Sequence, residues 1–372
     1  MAFASPDADG TSVAFLRASI VCHPIREAPQ MPPLSSTRRT IAIAAAVLMA
    51  ACSGGPTESG GAAGGDTGGS GGGGGGGGTT GTPALGPNAS LGGRLLFPPD
   101  NEWNRDVSGD AVDPASATLI ASCGTGGLHP DFGTVWNGAP NGIPYVVVAG
   151  TQKTVPVTFD YADESDPGPY PVPADAPVEG GPAGTGDRHV LVVDRDHWKL
   201  YELYDAHPVN GGASWHAGSG AVWDLASNAV RPAGWTSADA AGLPILPALV
   251  RYDEAVEQKS IRHALRFTCP VTRRGYVYPA RHFASSRTDP ALPPMGMRVR
   301  LRADFDAGRL PASVQPIVAA MKRYGMLLAD NGSAWYVSGA PDPRWSDDDL
   351  ATLRTLRGTD FQVVKMGAVT TQ

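Results

Sequence analysis

The sequence predicts a mainly β domain, a single β-sandwich or jelly roll with a few short helices, which follows a disordered glycine-rich tether. Two observations favour this fold. The chain of 372 residues contains 34 prolines and 48 glycines, and the apolar stretches between them are short and frequently alternate with polar residues. This pattern is typical of strands. The stretches predicted to be strands are 145–148, 155–159, 189–193, 199–204, 264–268, 276–278, 297–302, 326–328 and 335–337.

The N-terminal segment has the pattern of an export signal. Arg38 and Arg39 precede an apolar run, residues 41–51, which ends in small residues. The run is about half the length of a membrane-spanning helix, which needs about 20 residues. We therefore assign residues 31–51 to a signal peptide, and residues 1–30 to an upstream mis-start or a disordered segment.

The end of this run, Leu48-Met-Ala-Ala-Cys52, resembles the lipobox of bacterial lipoproteins. The resemblance implies lipidation of Cys52 and a location in the bacterial cell envelope, lipid-anchored and facing the periplasm or the exterior. The alternative is ordinary secretory cleavage near Ala51. Thr37-Arg-Arg-Thr-Ile41 also resembles a twin-arginine signal, so both export routes remain open.

Composition sets the remaining boundaries. Residues 52–88 are rich in Gly, Ser and Thr, and such a segment behaves as a flexible linker because it cannot bury enough apolar surface to order itself. Residues 89–366 are predicted to form the β-rich globular domain, and residues 367–372 a tail. The formal net charge is −7, which disfavours nucleic acid and anionic lipid surfaces as partners. The expected contact with a bilayer is through the acyl anchor only.

Two cysteines remain in the predicted domain. In an oxidising compartment Cys123 and Cys269 most simply form one disulfide, and two separate buried thiols are the alternative.

Some elements have a clear internal pattern. Residues 189–204 are predicted to form a hairpin with its turn at 195–198. Residues 311–324 place apolar side chains at helical spacing, and Gly325 follows at the C-terminal cap position. Ser346 is predicted to begin another helix that ends at Gly358.

The candidate catalytic residues lie next to predicted strands. Glu179, Asp187 and His189 precede a strand, where a carboxylate can orient and charge a histidine for acid/base chemistry. His263 lies on the apolar face of another strand, and Tyr278 leaves a third. Each histidine also has an alternative interpretation as a hydrogen-bonded structural residue.

The candidate substrate-binding residues lie in loops. Arg281 and His282 follow Tyr278, and Trp235, Asp239 and Arg251 belong to a long proline-punctuated segment of a kind that frequently forms a site. Asp330 is interpreted as a residue of a turn between strands, at 329–333.

These residues support three functional hypotheses. The first is a glycan-active hydrolase or lyase with histidine acid/base groups, acting on a polysaccharide or a cell-surface glycan. The second is a non-catalytic module that binds glycans or surfaces. The third is a metal-binding secreted protein. No cofactor is predicted, and a metal at the histidines is the alternative.

Several stretches resemble a set of uncharacterised secreted bacterial and fungal proteins, and together they cover most of the predicted domain. They are 163–170, 236–247, 261–267, 324–326 and 329–333. The resemblance implies no established activity, so it assigns no catalytic residue.

Overall fold

Strands dominate the computed structural model, which describes residues 81–372. The predicted signal peptide, Cys52 and most of the predicted linker lie outside the described residues. In chain order the strands are β1 (Gly86–Pro87), β2 (His129–Asp131), β3 (Val135–Trp136), β4 (Ala139–Pro140), β5 (Tyr145–Val148), β6 (Val157–Phe159), β7 (Val190–Asp194), β8 (Lys199–Tyr204), β9 (His207–Val209), β10 (Ser214–Ala217), β11 (Ser219–Asp224), β12 (Leu265–Cys269), β13 (Arg298–Leu301), β14 (Met326–Asn331), β15 (Tyr336–Ser338) and β16 (Phe361–Val363). The α-helices are α1 (Ser116–Cys123), α2 (Gln315–Arg323) and α3 (Asp347–Ala351).

Two large sheets form a sandwich-like arrangement, which confirms the predicted fold class. One sheet has the strand order β1-β5-β7-β8-β11, and the other has the order β16-β13-β14-β12-β15-β2. A three-stranded sheet, β6-β10-β9, and a small hairpin, β3-β4, complete the strands. The pairing of β1 with β5 involves residues within the predicted linker range 52–88.

The five-stranded sheet is covered on both faces. In β7, Leu191 and Val193 belong to the larger apolar core, together with Phe267 of the six-stranded sheet. Their neighbours Val190 and Val192 belong to a second core, which also includes Trp215 of the three-stranded sheet. Because successive side chains of a strand point to opposite faces, this double burial explains why β7 is an unbroken apolar run.

The predicted hairpin is confirmed. β7 pairs antiparallel with β8, and the last paired residues are Asp194 and Lys199, so the turn occupies residues 195–198. Trp198 adopts a φ of 51° in this turn.

The two predicted helices are present, but the second is shorter than predicted, because α3 gives way to a 3-10 turn at Thr352–Thr355 and the helical stretch ends before Gly358. α2 lies within the predicted range 311–324 and ends before Gly325, whose φ is 72°. Ser346 caps α3 by accepting a hydrogen bond from the Asp349 backbone. The sequence pattern missed α1, a short helix with buried Leu119 and Ile120.

Two local predictions are wrong. Residues 276–278 do not form a strand, since only Tyr276 makes isolated bridges, to Met295 and to Thr370 in the predicted tail. Asp330 does not lie in a turn, because β14 continues through Asn331.

Cys123 and Cys269 form a disulfide, as predicted. It joins the end of α1 to the end of β12, and both residues are fully buried. The cross-link therefore adds to the contacts that hold α1 against the six-stranded sheet, among them the hydrogen bond that Ser116 Oγ accepts from the Val363 backbone.

We expect the paired substitution Cys123→Ala and Cys269→Ala to lower the free energy of unfolding by about 3 kcal/mol. The cross-link spans 146 residues, and its loss increases the conformational entropy of the unfolded chain. Urea denaturation measures the change, and reduction of the wild-type disulfide should produce a similar loss. An unchanged denaturation midpoint in both cases would contradict the prediction.

Candidate functional site

A group of charged side chains lies between the two large sheets, which we call the Asp330 cluster. His189 directly precedes β7, Arg266 lies in β12 and Asp330 in β14. His189 has the same strand parity as the core residues Leu191 and Val193, so it faces the six-stranded sheet. The full cluster consists of Glu179, Asp187, His189, Asp239, Arg266 and Asp330.

Asp239 and Arg266 form a bidentate ion pair at the centre of this cluster. Arg266 Nη2 donates to Asp239 Oδ1 over 2.9 Å and Nε donates to Oδ2 over 3.2 Å. Arg266 Nη1 donates to Ser338 Oγ over 2.7 Å. Both charged residues are buried. Burial raises the pKa of Asp239, and the guanidinium opposes that shift. The positive charge of Arg266 is therefore already paired.

His189 and Glu179 form a second pair. His189 Nδ1 lies 2.6 Å from Glu179 Oε2, and Nε2 lies 3.0 Å from the Ala238 carbonyl oxygen. Burial alone would lower the pKa of His189, but the Glu179 carboxylate, helped by the charge of Asp187, raises it to about 9. The ring therefore donates from both nitrogens at neutral pH, and neither nitrogen is free for proton transfer in this arrangement.

Asp330 differs from the other members of the cluster. Its side chain is partly exposed, and its one described hydrogen bond is accepted from the Asn331 backbone over 2.6 Å. Burial raises the pKa of Asp330 well above its usual range, and the charge of Asp239 raises it further, while Arg266 opposes the shift. A carboxyl group whose pKa is raised in this way can act as an acid.

The His189–Glu179 pair makes stability depend on pH in a definite direction. The unfolded histidine loses its proton near 6.5, whereas the folded one keeps it up to about 9. The folded state therefore binds more protons between these values, and its stability falls as pH rises. The pair contributes fully below 6.5, and its contribution is lost by about pH 9.

We expect wild-type protein to lose about 3 kcal/mol more than His189→Gln between pH 6.5 and 9, at about 1.4 kcal/mol per pKa unit. Denaturation by urea at a series of pH values gives the difference between the two proteins directly. Parallel curves for the two proteins would show that His189 does not carry this pH dependence.

His263 and Arg251 belong to a separate buried network. His263 Nε2 lies 3.0 Å from Glu254 Oε2, and Nδ1 lies 2.8 Å from the Ala264 carbonyl oxygen. Arg251 Nη2 lies 2.5 Å from Glu254 Oε1. These contacts correspond to the structural interpretation of His263. No described hydrogen bond or ion pair connects His263 with His189.

The predicted catalytic residue Tyr278 and the remaining predicted substrate-binding residues lie outside the cluster. Tyr278 is 58% exposed, Arg281 Nε donates to the Arg231 carbonyl over 2.8 Å, and the Trp235 ring lies 5.4 Å from the Arg231 guanidinium. His282 Nδ1 donates to the Ala240 carbonyl over 2.8 Å. Of the predicted substrate-binding residues, Asp239 alone has a described ion pair within the cluster.

The sequence did not identify Arg266 as a site residue, and it assigned Asp330 to a turn. One signal was present for Asp330. It directly follows four apolar residues, 326–329, all of which are buried in β14. An apolar run of this kind predicts a strand, and the strand can continue through the carboxylate that follows it.

The described residues hold no group of three or more His, Cys, Asp or Glu side chains suited to a metal ion. Within residues 81–372, no helix combines the length and the apolar character needed to cross a bilayer.

Comparisons with protein-family models, with curated proteins and with solved structures found no match to this chain.

Proposed function

We propose that this chain is a hydrolase that acts on neutral glycans outside the cytoplasm and is tethered to a membrane through Cys52. The observation that carries the proposal is the Asp330 cluster. Asp330 is a partly exposed carboxyl group with a raised pKa, and it lies beside carboxylates from other segments. Carboxyl groups whose environments differ in this way can serve as the acid and the base of one reaction.

In this proposal Asp330 donates a proton to the leaving oxygen of the glycosidic bond. Asp187, whose side chain is partly exposed and whose charge raises the pKa of Asp330, acts as the base that activates water. His189, Glu179 and Arg266 hold the surrounding charges in position. This assignment transfers the acid/base role from the histidines of the sequence hypothesis to carboxyl groups.

The charges of the cluster favour a neutral substrate over a uronate. A lyase has to neutralise the carboxylate of its substrate, but the two cations of this cluster are already paired, His189 with Glu179 and Arg266 with Asp239. An added anion would also meet Asp187. Hydrolysis of a neutral glycan requires no cation to neutralise the substrate.

A screen of polysaccharides tests the proposal. The purified chain is incubated with neutral β-glucans, xylans and mannans and with uronate-containing pectins and alginates, and new reducing ends and unsaturated uronyl products are measured separately. We expect reducing ends from at least one neutral polymer without unsaturated product. Unsaturated product from a uronate polymer would contradict the hydrolase assignment, and no product from any polymer would favour the second function.

The second candidate function is a non-catalytic glycan-binding module. It is favoured by two exposed aromatic side chains, Trp136 in the β3-β4 hairpin, which is 61% exposed, and Tyr278, which is 58% exposed. This function predicts retention of a polysaccharide with no release of product.

A further inference from the structure

We propose a separate sugar-binding subsite in the groove next to Tyr278, which takes one pyranose ring of a neutral glycan. The choice of ligand rests on the proposed function, whereas none of the residues that line the groove belongs to the Asp330 cluster. The groove is open to solvent, and its lining includes Tyr278, Trp223, Asn101 and Glu102.

The wall of the groove suits the apolar face of a sugar. Tyr278 stands at its edge with most of its side chain exposed, while Tyr276 and Val277 before it are buried. Trp223 and Pro244 provide further apolar surface. An aromatic ring held in this way can stack on a flat apolar ligand face and lose little conformational freedom.

The rim of the groove suits hydroxyl groups. Glu102 and Asn101 both line it. Glu102 Oε2 accepts from Arg105 Nε over 2.8 Å, which fixes the carboxylate, and Oε1 makes none of the described hydrogen bonds. An oxygen of this kind can accept from a sugar hydroxyl.

The groove and the Asp330 cluster share one loop. Gly242 lines the groove, and its backbone N–H donates to the Asp239 carbonyl over 3.0 Å. The backbone N–H groups of Arg281 and His282, just after Tyr278, both donate to Ala241. A glycan chain bound in the groove therefore lies against the loop whose Asp239 pairs with Arg266.

Binding is measured by calorimetry with neutral hexasaccharides, namely cellohexaose, laminarihexaose, xylohexaose and mannohexaose. Asp330→Asn serves as the parent protein so that hydrolysis does not interfere. In this parent, Tyr278→Ala is expected to weaken binding of at least one hexasaccharide by tenfold or more. Tyr278→Phe should bind within twofold of the parent, because the ring and not the hydroxyl makes the contact.

Val209→Ala is the control and should bind like the parent, since it removes an exposed apolar side chain of β9 that does not line the groove. Equal binding by the parent and by Tyr278→Ala would overturn the subsite, and so would failure of the parent to bind every hexasaccharide. Tight binding of a leucine-rich peptide at Tyr278 in place of the sugars would overturn it as well. Absence of product from every polymer with the wild-type chain would refute the hydrolase while Tyr278-dependent binding stands, so the two failures are distinguishable.

Discussion

Asp330→Asn is expected to lower kcat on the responsive glycan by at least about 100-fold, the usual contribution of a general acid. The amide has nearly the same shape and can still accept the hydrogen bond from the Asn331 backbone, but it has no proton to donate to the leaving oxygen. Initial rates of reducing-end release, with the fold checked by circular dichroism, measure the effect.

The control for this substitution is Asp175→Asn, which makes the same chemical change at an exposed position and should leave kcat unchanged. The pH profile supplies an independent check. Wild-type activity should fall at high pH as Asp330 loses its proton, and the midpoint should lie well above the usual range of an aspartate pKa, because burial and Asp239 raise it. Unchanged turnover in Asp330→Asn would remove Asp330 from the mechanism.

The sequence predicted the strands well because their cause is local. The alternation of apolar and polar residues in β8 follows from the burial of each residue, and so does the continuous apolar run of β7, which is buried on both faces. A short stretch of sequence therefore contains enough information to predict each strand. The disulfide was predictable for a different reason, since only two cysteines fall within the predicted domain.

The candidate site was less predictable because its pairs form across long separations. Arg266 meets Asp239 across 27 residues, and Asp330 acquires its environment from Asp187, Asp239 and Arg266, which lie on three other segments. A lone charge in an apolar strand gives no indication of its partner. His189 and Glu179, ten residues apart, were identified together because one short segment contains both.

The burial of the individual tryptophans was not predictable from the sequence either. Trp215 and Trp223 are buried, and Trp198 lies beneath the Arg94 guanidinium at 3.6 Å. Trp136 is exposed. Only the packing of the sheets separates the exposed tryptophan from the buried ones.

Glu202→Ala is expected to lower the free energy of unfolding by about 4 kcal/mol. Glu202 lies in β8 and is fully buried, and its carboxylate accepts hydrogen bonds from the Ile245 and Leu246 backbones and from Trp223 Nε1 over 2.9 to 3.1 Å. Alanine leaves these three donors without an acceptor, at about 1–3 kcal/mol each. Relief from burying a charge offsets part of that loss. Urea denaturation measures it.

Glu257→Ala is the matched control. Glu257 is about half exposed and pairs with the exposed Arg344, so its loss should cost about 0.5 kcal/mol. A Glu202→Ala variant within about 1 kcal/mol of wild type would mean that the loop at 243–246 is held by other contacts.

Glu202→Gln separates the hydrogen bonds from the charge. When its amide oxygen accepts from Ile245 and Leu246, its amide nitrogen faces Trp223 Nε1, and two donors then meet. Trp223→Phe removes that conflict, so Glu202→Gln should cost less in a Trp223→Phe background than in wild type, which a double-mutant cycle measures. Additive effects would contradict this geometry.

The charge itself makes stability depend on pH. Burial raises the pKa of Glu202 from 4.5 to about 7, although the three donors oppose the shift. The folded state therefore binds more protons between these values, and the stability that Glu202 contributes is complete below pH 4.5 and lost as pH rises through 7. Glu202→Gln should lack this decline. Because Trp223 lines the Tyr278 groove and donates to Glu202, this hydrogen bond holds one wall of the proposed sugar subsite, and Glu202→Ala should weaken hexasaccharide binding even at temperatures where it remains folded.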